Sequence, residues 1–396
     1  MESGEVPRVR LEEDEERFLS PKAARSAGAN STRLHEQPPD DFRTEFERDY
    51  TRIIHSRAFR RLRHKTQVFL SPENDHICTR IEHTLHVASI SRTLSRAMRL
   101  NENLALAIAA GHDLGHAPFG HIGERILDEI AKENGLEGFT HELHSLRLVD
   151  ELEKVPEYNY RGLNLTYHVR DGIACHCGET FPQSIQPAEG EKKALSAVDR
   201  GRDVPATYEG CLVRYVDRIA YLGRDIEDAA NIGIVSKDDI PDGVKKRLGT
   251  SNRQIIDALA KDLFANYSND GRLSFSSDVH DAAIELDKFN TEEIYMSPLV
   301  TRRKQLLNRA MHMAFEEIVD TLKKCDGYPE KLCNGHVKSP LSTSLRAVLR
   351  DFIRDDFSTQ HLSDDTEIKQ CSLYFIAGMT DNFFLNSFHD MFRPEI

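Results

Sequence analysis

No run in this chain of 396 residues approaches the roughly 18 consecutive apolar residues of a membrane helix, so no membrane partner is expected. The first residues, MESGEVPRVRLEEDEERF, are polar and acidic and lack the apolar stretch of a secretory signal. A cytoplasmic protein is expected. Positive charge is in short supply. Lys and Arg number 52 against 65 Asp and Glu, a formal net charge of −13. Such a chain is a poor general binder of nucleic acid, and an anionic substrate must meet locally concentrated cations or a metal. A disulfide framework is also missing. The seven cysteines, Cys78, Cys175, Cys177, Cys211, Cys325, Cys333 and Cys371, are odd in number and scattered. Cys175-His176-Cys177 invites a zinc-knuckle reading. A structural zinc site needs four ligands in paired short spacings, however, and Cys325 and Cys333 are distant and too widely spaced. Reduced, partly buried thiols are expected instead. Strand-type alternation is scarce, and no internal repeat occurs.

What is present is helical periodicity. With 39% hydrophobic and 30% charged residues, most of the chain can fold. From Asp41, DFRTEFERDYTRIIHSRAFRRLRHKT spaces apolar residues at i, i+3 and i+4 with salt-paired charges between them. Helical patterns follow at about 82–100, 102–113, 120–134, 141–154, 207–230, 252–267, 278–289, 301–324 and 339–355. CSLYFIAGMTDNFFLNSFHDMF closes the chain as one more helix. The fold class is all-α. Residues 66–72 (TQVFLSP) and 161–168 are expected as a short hairpin or loop, and the Pro/Gly-rich, charged stretch 181–206 as an exposed insertion.

The chemistry concentrates in GHDLGHAPFGH, residues 111–121. The apolar helix before it ends in His112-Asp113, and Pro118 forbids a continuous helix. A bend lets adjacent His112 and Asp113 converge on one ion, although neighbours on a straight helix point about 100° apart. His121 and Glu124 are i, i+3 on the next helix and share a face; a carboxylate beside an imidazole fixes its tautomer and raises its basicity. Upstream, RIEHTLHVASISRTL carries His83 and His86. Downstream, Asp217 sits on the apolar stripe of Val213, Val216, Ile219, Ala220 and Ile226, where a carboxylate needs a cation or donors. Two His and two Asp from three helices suit a divalent ion, and the lack of Cys among them argues against a thiolate site.

His83, His112-Asp113 and Asp217 resemble the H…HD…D signature of HD-domain phosphohydrolases. Five further blocks are more specific. In order, IIHSRAFRRLRHKTQVF, NDHICTRIEHTLHVASI, GHDLGHAPFGHIGE, FTHELHSLRLV and YVDRIAYLGRDIEDA resemble the deoxynucleoside triphosphate triphosphohydrolase branch, the dGTPase and dGTPase-like family. The likeness runs from about residue 20 to 235 and returns weakly at LDKFNTEEIYMSPLV, 286–300. It implies an HD helical bundle over 41–235 and a C-terminal helical region over 236–396 that packs on the bundle, while residues 1–40, rich in Glu, Ser, Pro and Arg, are expected to be loosely ordered by composition.

The resemblance also implies roles. His83, His112, Asp113 and Asp217 would chelate one divalent ion (Mn, Mg, Fe, Ni or Zn). His121 and Glu124 would handle the attacking water, and His141 would protonate the leaving nucleoside oxygen. Arg80 and Arg218 would contact phosphates. His116 either touches phosphate or lines the cleft. Residues 217, 221 and 225 share one helix face. Tyr221 would pack on the sugar where a 2′-hydroxyl would clash, and Asp225 with Gln67 would hold the 3′-hydroxyl. Arg224 stands where many relatives have His, and His86 where an acid is common; both bear on substrate preference or subunit contacts.

The implied activity is metal-dependent conversion of a 2′-deoxynucleoside 5′-triphosphate, dGTP first, to deoxynucleoside and triphosphate. Another HD nucleotide phosphohydrolase (a 5′-nucleotidase or a guanosine-polyphosphate hydrolase) and a nucleotide- or single-stranded-DNA-binding regulator on the same scaffold are the alternatives. Implied partners are the substrate, an allosteric dNTP and further copies in a tetramer or hexamer. Single-stranded DNA, served by RAFRRLRHK at 57–65, is disfavoured by the net charge.

Overall fold

The computed structural model describes residues 6–28, 32–69, 77–155, 157–178, 180–188, 190, 192–333, 339–357 and 359–391. Part of the expected hairpin or loop at 66–72, residues 70–72, lies outside them. So do parts of the segments 1–40, 181–206 and 236–396.

The fold is all-α. Its helices in order are α1 (Pro7–Phe18), α2 (Glu45–His55), α3 (Arg57–Arg61), α4 (Arg80–Met98), α5 (Glu102–Gly111), α6 (Gly120–Glu133), α7 (His141–Arg147) and α8 (Tyr167–Ala174). Then come α9 (Tyr208–Asn231), α10 (Asp242–Leu248), α11 (Asn252–Asp270), α12 (Ser277–Phe289), α13 (Pro298–Lys324), α14 (Thr343–Phe352), α15 (Asp365–Ala377) and α16 (Asp381–Met391). Among the described residues the sheet content is one two-residue ladder, β1 (Ser184–Ile185) antiparallel to β2 (Leu273–Ser274), plus an isolated bridge between Thr66 and Thr79.

Local chemistry accounts for several boundaries. Thr44 and Glu47 close a capping box on α2, and Ser251 with Gln254 does so on α11. Asn101 accepts from the first turn of α5, satisfying amides that have no intrahelical partner.

Three elements differ from the sequence reading, whereas 161–166 is the loop that reading allowed. Residues 7–18, expected as loose, form α1 with Pro7 in its first turn, where a missing N–H costs nothing. Over 161–168, Gly162 and Asn164 take left-handed conformations, and α8 then starts at Tyr167. The closing helix is two helices, α15 and α16, parted near Gly378. The stretch 181–206 is not wholly exposed: Phe181, Ile185 and Leu195 are buried.

Apolar burial falls into two cores. The larger joins α2, α4, α5, α8, α9, α11 and α12 around residues such as Ile53, Val87, Ile108, Val216 and Leu286. The second joins α6 to the C-terminal helices α13–α16 through Ile126, Ile130, Met311, Leu349 and Ile376. Leu114 belongs to the first core, and Ala117 and Phe119 to the second. The His-rich turn therefore crosses the seam between them.

Candidate active site

Three helices of the larger core bring their polar residues to this seam. His83 lies in α4, His112 caps the C-terminus of α5, and Asp217 sits within α9. Ligand atoms of His83, His112 and Asp113 lie within 4.8 Å of one another, as do those of His112, His176 and Asp217. His83 Nε2 is 2.8 Å from Asp217 Oδ1, and His112 Nε2 is 3.7 Å from the same oxygen and 3.6 Å from Asp113 Oδ1.

The donor set fits a divalent cation. His112 Nδ1 is 2.7 Å from the Ala109 carbonyl, which can only accept, so Nδ1 carries the hydrogen and Nε2 is a bare lone pair. That Nε2 is buried without a hydrogen-bond partner and faces two carboxylates. Burial brings the His112 pKa down to about 4, so the ring is the neutral form a metal needs. Burial opposes ionisation of Asp113, yet Arg80 and His116 hold it well below the usual carboxylate range.

Beside this set lies a charge relay. Glu124 Oε2 is 3.0 Å from His121 Nδ1 and 3.0 Å from His141 Nδ1. His121 is open to the cleft, whereas His141 and Glu124 are buried. Burial works against protonation of His141, but Glu124 and the adjacent Cys177 push its pKa up to about 10. Arg200 donates to Glu124 Oε1 at 2.5 Å and forks onto both oxygens of Glu142. It comes from the stretch expected as an exposed insertion. His116 stacks on His141 with ring centroids 3.8 Å apart and sets its Nε2 3.2 Å from Asp113.

Beyond His121 opens a cleft of about 180 Å³ lined by Gln67, Tyr221, Asp225, Tyr295, Arg125 and Lys304, among others. Gln67 Oε1 and Asp225 Oδ1 are buried acceptors without a donor. Burial raises the Asp225 pKa to about 7, although the Tyr295 hydroxyl donates to its other oxygen at 2.5 Å.

The two expected phosphate-binding arginines are placed differently. Arg80 is 1% exposed and donates to Asp113 at 2.9 Å, so its cation is engaged inside the ligand set. Arg218 is half-buried, donates to the Gly178 carbonyl at 2.7 Å, and lies over the Phe181 ring. Tyr221 and Asp225 face the cleft together with Gln67, 154 positions or more away in the chain.

Sequence reasoning missed Arg200, Tyr295, His176, Cys177 and Asp381. The Cys175-His176-Cys177 run signalled metal chemistry, but Cys175 turns away: its Sγ meets Asp171 and Lys193. His176 and Cys177 instead reach His141, at 3.1 and 3.4 Å. Asp381, at the start of α16, accepts from Phe119 N–H at 2.9 Å and from both the amide and hydroxyl of Thr66, at 3.0 and 2.6 Å.

The model of the HD domain family matches residues 80–222. The chain is 38% identical over 390 residues, 98% of each chain, to the deoxyguanosinetriphosphate triphosphohydrolase-like protein of Desulfatibacillum aliphaticivorans. Its similarly named relative in Caldanaerobacter subterraneus subsp. tengcongensis is 36% identical over 384 residues, 97% of this chain and 95% of that one. The one in Clostridium perfringens strain 13 is 34% identical over 388 residues, 97% of each. The chain belongs to the family of deoxyguanosinetriphosphate triphosphohydrolase-like proteins, phosphohydrolases with an HD domain.

Proposed function

We propose that the protein hydrolyses 2′-deoxynucleoside 5′-triphosphates, dGTP foremost, to deoxynucleoside and inorganic triphosphate. The observation that carries the reading is the bare, buried His112 Nε2 facing Asp113 and Asp217, beside a cleft whose buried acceptors lack donors. His83, His112, Asp113 and Asp217 would hold one divalent ion. That ion supplies Lewis acidity at a phosphate oxygen and at water. His121 and Glu124 orient the attacking water and take its proton. Its oxygen bonds to the α-phosphorus as the bond to the nucleoside 5′-oxygen breaks. His141, held protonated by Glu124, gives its proton to that leaving oxygen. Arg218 and Arg80 would balance phosphate charge, and His116 either touches phosphate or lines the cleft. Asp225 and Gln67 hold the sugar 3′-hydroxyl, which gives its one hydrogen to Asp225 Oδ1 and accepts from the Gln67 amide, while Tyr221 closes the space a 2′-hydroxyl would need.

Self-assembly and a cytoplasmic location belong to the same reading. Exposed Leu299, Leu306 and Met313 recur every seven residues along α13, a single apolar stripe that a second copy would cover. No helix of the described residues is long and apolar enough to cross a membrane. An allosteric nucleotide, if bound, will show as cross-activation between dNTPs.

The test is an assay of the four dNTPs, singly and mixed, with Mn²⁺ or Mg²⁺ and identified products. Triphosphate release is expected. Inorganic phosphate or pyrophosphate would move the protein to another HD nucleotide phosphohydrolase, and no turnover would favour a binding regulator. Asp113→Ala is expected to abolish release; unchanged release would sink the ligand assignment.

A further inference from the structure

A second cluster of ligand atoms lies behind the relay. His141 Nε2, His176 Nε2 and Cys177 Sγ converge at 3.1 Å (N to N), 3.4 Å (His141 to sulfur) and 3.2 Å (His176 to sulfur). The far side of each ring fixes its tautomer. His176 Nδ1 is 2.7 Å from the Ile173 carbonyl, which only accepts, so His176 Nε2 is a lone pair. His141 Nδ1 donates to Glu124, so its Nε2 carries either the proton used as an acid or a cation in that proton's place. Both histidines are buried, and Cys177 is half-buried.

The spacing matches a metal polyhedron. Zinc bonds of about 2.0–2.1 Å to nitrogen and about 2.3 Å to sulfur, at tetrahedral angles, give edges of about 3.3 Å (N to N) and 3.5 Å (N to S). The three observed edges fall within a few tenths of an ångström of these. The composition differs from that of the four-residue set: two imidazoles and a thiol with no carboxylate select a soft or borderline ion, whereas Asp113 and Asp217 also suit hard ones. His176 has one free nitrogen and serves a single ion at a time, although it also neighbours His112 and Asp217.

We propose that His141, His176 and Cys177 form a second, thiophilic cation site that takes zinc and inhibits the enzyme. Binding sends the Cys177 thiol proton and the His141 Nε2 proton to solvent, with no change of oxidation state. The acid that should protonate the leaving oxygen is thereby replaced by a metal bond. The inhibition rests on the role proposed for His141; the metal site itself does not.

Co²⁺ titration of the metal-free full-length protein tests the site. Two equivalents are expected, the second bringing a near-ultraviolet sulfur-to-cobalt absorption. Cys177→Ala should bind one equivalent without that band, and Cys177→Ser should lose the band likewise while keeping the shape of the side chain. Asp113→Ala should keep the band. A band that is absent in the wild type, or that survives in both Cys177 variants, overturns the site. In the Mn²⁺-activated enzyme, added Zn²⁺ should suppress triphosphate release. Cys177→Ala, scored against its own zinc-free rate, should need about tenfold more Zn²⁺ or above for the same suppression. Equal sensitivity of variant and wild type overturns the inhibitory role. Failure of the proposed activity would show instead as absent triphosphate release in every sample, with the cobalt band still dependent on Cys177.

Discussion

Glu124 serves two histidines with one oxygen and an arginine with the other. A single carboxylate thus favours the protonated form of both proposed proton carriers, although for His121 burial outweighs it and the pKa is lowered. Glu124→Gln keeps the shape and removes the charge, so His141 loses the main influence that raises its pKa against burial. kcat should fall by about 10²-fold or more, and the alkaline limb of the pH–rate profile should move to lower pH. A profile unchanged in shape would count against the relay. His121, Glu124 and His141 were legible in the sequence because i, i+3 spacing and a recognised block name them. Arg200 was not, since nothing local to a charged, Gly/Pro-rich stretch tells which arginine folds inward.

Glu209, in the first turn of α9, is a residue-scale matter of stability. It is fully buried, its Oε1 accepts from the Ala24 and Asn101 amides at 3.0 and 2.8 Å, and its Oε2 has no partner. Burial raises its pKa from 4.5 to about 7. Between those values the folded state holds more protons than the unfolded one, so this group makes stability fall as pH rises through the window. Urea unfolding at about pH 5 and about pH 8 should show the wild type losing on the order of 2–3 kcal/mol more than Glu209→Gln. Parallel pH dependence in the two proteins would refute this.

Among the elements, the turn between α5 and α6 is the most constrained. Gly115 lies against the start of α7: a Cβ there would meet Ser145 N at 2.2 Å and His141 O at 2.4 Å, both backbone atoms. The Gly115 amide donates to Ser145 Oγ at 2.8 Å, and that hydroxyl donates to the His112 carbonyl at 2.9 Å. This contact ties the ligand pair to the helix carrying His141. Gly115→Ala should cost about 1–3 kcal/mol by overpacking and lower kcat by displacing His141, read by thermal unfolding and steady-state rates. The sequence reading placed the break in this turn through Pro118. It could not supply the close approach to α7, because a glycine states freedom and not which backbone will use it.

For the whole molecule, the site is a seam between two cores. Helices α4, α5 and α9 bring His83, His112-Asp113 and Asp217 from one, and α6 brings His121 and Glu124 from the other. The C-terminal helices stitch the seam. Asp381 holds Phe119 to Thr66, and buried Lys65 donates to the His116 and Ala377 carbonyls. Phe119 sits at φ 67°, a left-handed conformation that an aromatic residue keeps only when its surroundings hold it there. Asp381→Ala leaves the buried Phe119 N–H and two half-buried Thr66 donors short of an acceptor, and the buried one alone costs about 1–3 kcal/mol of stability. Activity should fall further than the loss of folded protein explains, while Asp381→Asn should restore part of it. Equal losses in folded fraction and rate would reduce Asp381 to a purely structural contact.

The sequence by itself determined the helical class, the break in the His-rich turn and the ligand-type residues, because periodicity, proline chemistry and short motifs act over a few residues. Only the tertiary structure decided that His176 and Cys177 stand behind His141, that Arg200 reaches Glu124, that Tyr295 meets Asp225, and that Asp381 anchors the turn. These pairs lie 35 to 262 residues apart. Their contacts follow from how two cores pack against each other, and no spacing along the chain encodes that packing. The same packing explains the insertion's buried residues and the two halves of the closing helix, each placed by the surface it had to cover.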